Sequence, residues 1–99
     1  EKFPWKYLAQ FGVGQWHSLS NRVLIKNRMK KINLLDKKNF YKKISKIGYS
    51  IKKPNNIKKS KFLNFLNRAF QRRFRQELIN GKIDQECLII INNLLKKLH

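Results

Sequence analysis

The chain has 99 residues, 41 % of them hydrophobic, which allows one modest core but not several domains. Twenty-four Lys and Arg against five Asp and Glu give a net charge of +19. Paired catalytic carboxylates are therefore hard to assemble, the lone Cys87 excludes an internal disulfide framework, and His17 and His99 alone are too few ligands for a zinc site.

The start, Glu1-Lys2-Phe3-Pro4-Trp5, has neither an initiator Met nor a signal-peptide core and reads as a start inside something larger. Residues 4–11 suit a short helix, with Pro4 in the first turn and Gly12 as its stop. Eight residues do not hold a helix in water, so this one needs a surface to pack on. Residues 17–35 carry Val23, Leu24, Ile25, Met29 and Ile32 between basic residues, without strong caps, and read as a loose helix or tether. Residues 36–47 read as a helix capped by Asp36, with Phe40, Ile44 and Ile47 on one face and Gly48 as the stop. Residues 49–60 form a loop around Pro54, anchored by Ile51 and Ile57. The second helix, 61–75 with Ser60 as cap, buries Phe62, Leu66, Phe70 and Phe74 and carries Arg68, Arg72 and Arg75 as a basic stripe. Asn80-Gly81 marks a turn, and Asp84 caps a last helix with Glu86 in its first turn and Leu88, Ile91, Leu95 and Leu98 on its buried face. No strand is expected, and no run of 18 apolar residues could span a membrane.

Two blocks carry a resemblance. Phe40-Tyr41-x-x-Ile44-x-x-Ile47-Gly48-Tyr49, then Ala69-Phe70-Gln71, then Asn80-Gly81 resemble the small three-helix peptidoglycan-binding domain. Tyr41 stands where that family has Gln, Asn80-Gly81 where it has Asp-Gly, and Cys87 where it has Thr. Upstream, Phe3-Pro4-Trp5, Leu8-Ala9 and Gly12-Val13-Gly14-Gln15-Trp16 are similar to the end of the catalytic domain of zinc-dependent N-acetylmuramoyl-L-alanine amidases. The resemblance implies an all-α fold: residues 1–19 a catalytic-domain remnant, 20–35 a linker, and 36–99 a peptidoglycan-binding domain.

It also implies what this stretch lacks. The family's zinc-binding Asp would fall three positions before Glu1, and its other ligands further upstream. The expectation is therefore a binding module with no cofactor and no hydrolytic activity of its own, since zinc belongs to the full-length family. His17 is expected as an exposed linker residue, and Trp5 and Trp16, parted from the catalytic sheet, as unusually exposed. The expected partners are peptidoglycan and a separate amidase catalytic domain, in a bacterial envelope and its periplasm.

Contact residues are open. Tyr49, Gln71 and Arg72 are the candidates, against plainer uses: Tyr49 packing after Gly48, Gln71 bonding a nearby loop, and Arg72 on a solvated face. A basic nucleic-acid-binding protein is the alternative, since phosphate contacts need only Lys and Arg. Yet Lys outnumbers Arg 18 to 6, and Asn and Ile each occur 11 times, a profile that drift toward A/T-rich codons also yields. The gap at 48–60 is too long for a helix-turn-helix, and a basic membrane-surface role is weaker still, because the helix faces suit mutual packing.

Overall fold

A computed structural model describes residues 4–9 and 16–98. Five helices follow in order: α1 (Trp5–Ala9), α2 (Asn21–Asn27), α3 (Leu34–Lys46), α4 (Lys59–Phe74) and α5 (Gln85–Leu98). No strand occurs among the described residues, and no helix there is long and apolar enough to cross a membrane. The Gly12 stop, the Gly12 and Gly14 motif positions and the exposure of the Trp5 side chain lie outside the described residues.

The core forms where the aromatic repeat of α4 meets α3 and α5. Phe40 and Phe70 meet edge-on at 5.1 Å between ring centroids, an arrangement that suits the ring quadrupoles. Helix α5 is the central element and lies against both α2 and α3. Of the expected face Leu88, Ile91, Leu95 and Leu98, the first two are buried, Leu95 is half-buried and the Leu98 side chain lies outside the described residues, while Cys87, Ile90 and Leu94 are fully buried as well. A helix with neighbours on several sides is apolar around more of its circumference.

Helix ends show how local chemistry sets the frame. Helix α3 starts three residues earlier than Asp36 would have it: Asn33 is the cap, and its Oδ1 accepts from Asp36 N at 2.7 Å. At the other end Gly48 has φ +107°, Gly48 N donates to Ser45 O, and Tyr49 N donates to Ile44 O. These paired bonds close the helix in a Schellman arrangement, which requires the left-handed residue that glycine supplies. Helix α4 begins after Lys58 with no side-chain cap, so Ser60 lies inside the helix and not at its boundary. Asp84 does cap α5, accepting from Cys87 N at 3.0 Å.

Four expectations are corrected here. Residues 20–35 are not a free tether: Leu24 is 6 % exposed and joins the core, and Gln85 N donates to Lys30 O at 2.8 Å. His17 is buried, not exposed, and Trp16 is half-buried against the core, stacked on His17 at 4.8 Å and tilted toward Phe74 at 5.8 Å. The cause is a docked backbone: Ser18 N donates to Asn93 Oδ1 at 2.8 Å, and Lys97 Nζ donates to Trp16 O at 3.0 Å. Ile51, expected as an anchor, is 48 % exposed.

The arginine stripe also dissolves. Helix α4 ends at Phe74, so Arg75 leaves the helical register and turns inward. Its guanidinium is 1 % exposed and pairs with Asp84 and with Glu86, the latter at 3.2 Å. Arg28, from the segment after α2, grips the other side of Glu86 with two bonds of 2.9 Å. Two guanidiniums thus neutralise two buried carboxylates, which is the condition under which such charges are tolerated inside a fold.

Candidate ligand-binding groove

A groove of about 620 Å³ opens between the segment after α2, the start of α3, the middle of α4 and the turn before α5. Its floor is a relay across three elements. The Tyr41 hydroxyl on α3 donates to Asn67 Oδ1 on α4 at 2.8 Å, and Asn67 Nδ2 donates to Gly81 O in the turn at 2.8 Å. Burial raises the Tyr41 pKa, so its hydroxyl remains a donor at neutral pH.

Gln71 shapes the groove without lining it. Its Oε1 accepts from Asn80 N and Gly81 N, at 3.0 and 2.9 Å. Its Nε2 donates to Lys82 O at 2.8 Å and to Asn80 Oδ1 at 3.2 Å. All four hydrogen-bonding positions of the amide are engaged, and the side chain is fully buried. Asn67 lies one helical turn before it, so the same face of α4 holds both edges of the turn. Gly81 sits at φ +76°, and a Cβ there would overlap Asn64 Nδ2.

The opposite rim is Met29, the sole non-glycine residue with positive φ (64°) among the described residues. A left-handed conformation at a side-chain-bearing residue costs about 1–2 kcal/mol. Met29 N donates to Asp84 Oδ2 at 3.1 Å, and the neighbouring Arg28 is held by Glu86, so the ion cluster keeps this rim in place. The Met29 side chain remains 69 % exposed.

Lys31, Lys37 and Lys82 bring positive charge to the lining, each from a different element. Asp84 is the acid among the lining residues, and Met29 N, Cys87 N and Arg75 occupy its carboxylate. The groove therefore presents positive charge around an amide and phenol floor.

None of Tyr49, Gln71 and Arg72 lines this groove. Tyr49 is half-buried against the core, and burial raises its pKa. Arg72 is exposed on α4. The lining residues Tyr41 and Asn67 carried a signal in the sequence: Tyr41 occupies the position where the resembled family has Gln, and Asn67 precedes Gln71 by four. The lysines carried none, being three among eighteen.

Cysteine and metal chemistry have little to work with here. Burial pushes the Cys87 thiol up to about 12, so it stays protonated and is not a nucleophile. Among the described residues no three of His, Cys, Asp and Glu come together, and Asp84 and Glu86 are committed to arginines. These residues do not fit the zinc centre that the resemblance attaches to the full-length family.

The fold is similar to part of an N-acetylmuramyl-L-alanine amidase. A matching solved structure is AmiD from E. coli, in complex with the substrate anhydro-N-acetylmuramic acid-L-Ala-D-gamma-Glu-L-Lys. The likeness has a TM-score of 0.72 at 27 % identity and takes in 96 % of this chain but 36 % of that one. The chain thus spans about a third of the length of its structural neighbour. No protein-family model and no curated protein matches the sequence.

Proposed function

We propose that this chain is a peptidoglycan-binding unit of the N-acetylmuramoyl-L-alanine amidase type. The observation that carries the reading is the likeness of nearly the whole chain to part of an amidase solved with a muramyl peptide. The Phe3-Pro4-Trp5 and Ala69-Phe70-Gln71 motifs, far apart in the sequence, also support it.

In this reading the chain supplies adhesion. Holding a hydrolytic domain on its polymer raises the local substrate concentration without new chemistry at the bond. Cleavage between the lactyl group of muramic acid and L-alanine falls to a catalytic domain of the zinc-dependent type, as a further part of the protein or as a partner. The setting would be the bacterial envelope, on the periplasmic side.

Co-sedimentation of the chain with intact peptidoglycan sacculi tests the reading, over salt from about 50 to 500 mM, a range in which long-range charge attraction is screened. Retention in the pellet at high salt is the expected result. Release at high salt would show that the +19 charge alone caused the adhesion, and the reading would fall.

A further inference from the structure

Resting on that wall-binding reading, we propose that the groove between Met29, Tyr41 and Gly81 takes the peptide stem of the wall, and that Lys31, Lys37 and Lys82 recognise its carboxylates. The ligand class follows from charge and shape. The lining carries three ammonium groups with no ion-pair partner among the described residues, and its one acid is already occupied. A neutral glycan strand offers nothing to answer that charge.

A stem of the sequence L-Ala-D-γ-Glu-L-Lys does answer it. The γ-linkage leaves the α-carboxylate of the glutamate free, and the terminal lysine adds a second carboxylate. Ammonium-to-carboxylate bonds are charge-assisted and stronger than neutral ones. Below the lysines, the phenol–amide floor and the exposed Met29 at the rim suit the peptide backbone and its apolar methyl and methylene groups. The rim adds a second observation: Met29 is held in a left-handed conformation that favours glycine, and such strained positions gather at ligand sites.

The geometry also gives Gln71 its place. It is a positioning residue, fixing the backbone of residues 80–82 so that Lys82 leaves the turn at the groove edge.

The test is calorimetric titration of the whole chain with three probes: free L-Ala-D-γ-Glu-L-Lys, the same peptide with both carboxylates amidated, and a tetramer of N-acetylglucosamine. The free peptide is expected to bind at least about tenfold more tightly than the amidated one, the scale of a lost charge-assisted pair. Each of Lys31→Gln, Lys37→Gln and Lys82→Gln should weaken it by about three- to tenfold. A charge-matched control, the triple change Lys46→Gln, Lys52→Gln and Lys59→Gln at exposed positions that do not line the groove, should leave it within about twofold, since surface charges outside direct contact are screened. Equal affinity for the amidated peptide, no binding of the free peptide, or equal losses in the control triple would each overturn the groove assignment. Sacculi separate the two ideas. If a variant carrying Lys31→Gln, Lys37→Gln and Lys82→Gln together sediments with sacculi as the unaltered chain does, the wall reading stands and the groove assignment falls.

Discussion

At Arg75 the chain puts a guanidinium where its sequence pattern promised a solvated stripe. The residue follows the last helical position of α4, so its side chain points back toward Asp84, Glu86 and the Leu78 carbonyl. Arg75→Met would strand the Asp84 carboxylate in the interior and leave Glu86 to Arg28 alone. Removing one partner of such a cluster destabilises by about 3–5 kcal/mol, much of what a small domain possesses. Urea unfolding of the variant should therefore show a collapsed midpoint, whereas Arg72→Met, on the exposed side of α4, should shift it by no more than about 0.5 kcal/mol.

His17 makes the second prediction at this scale. Burial, reinforced by Lys6 and Lys97 and opposed by Glu77, lowers its pKa from 6.5 to about 4. Its Nδ1 accepts from Leu19 N, while Nε2 is buried without a partner, so protonation has no compensating contact. The unfolded chain takes up this proton first, so the stabilising contribution is present above pH 6.5 and is lost as pH falls toward 4. Linkage gives about 2 kcal/mol less stability at pH 5 than at pH 7 from this group. The difference between the parent chain and His17→Gln, followed by urea unfolding across that range, isolates the effect. With Trp5→Phe in place, the Trp16 emission reports the stacked imidazole directly, and its titration midpoint should lie near 4 rather than near 6.5.

Among the elements, the two glycine turns divide by what surrounds them. Gly48 has a positive φ in open space, so Gly48→Ala meets only backbone strain, about 1 kcal/mol. Gly81 has the same kind of φ with Asn64 and Arg68 against it, so Gly81→Ala should cost more than Gly48→Ala and should also distort the groove. Chemical denaturation of both variants, with the tripeptide titration on the second, checks the contrast.

The elements also show what the sequence could and could not display. Helices α3, α4 and α5 were legible because Phe40, Ile44, Leu66, Phe70 and Phe74 repeat at helical spacing, and because Gly48, Asn80-Gly81 and Asp84 are local signals. The cap of α3 was misplaced since Asn33 and Asp36 are equally good caps on composition, and only the path of the chain decides between them. Residues 20–35 looked like a tether because what docks them is non-local: Arg28 meets Glu86 across 58 residues, and Met29 N meets Asp84 across 55. The groove was hidden for the same reason, its lining coming from four separate stretches of sequence.

For the whole molecule, the docking of α2 predicts that the three-helix unit from residue 36 onward is less stable without it. Cutting the chain before residue 33 would uncover the site of Leu24 and take Arg28 from Glu86. Loss of a buried leucine costs about 2–5 kcal/mol before the ion pair is counted. A fragment of residues 33–99 should therefore melt well below the full chain, and its amides in α5 should exchange faster; equal melting temperatures would show that α2 adds nothing. The fold class was readable at this scale from composition and helical periodicity alone, while the dependence on the segment before it was not.

The ion cluster has a consequence for how this sequence can drift. Arg28, Arg75, Asp84 and Glu86 come from three separate stretches, yet exchanging any one of them unbalances the charge of the buried cluster. Exposed lysines can be gained or lost one codon at a time. The quartet cannot, so among relatives these four positions should be retained together or replaced together by apolar residues, while the lysine count around them wanders.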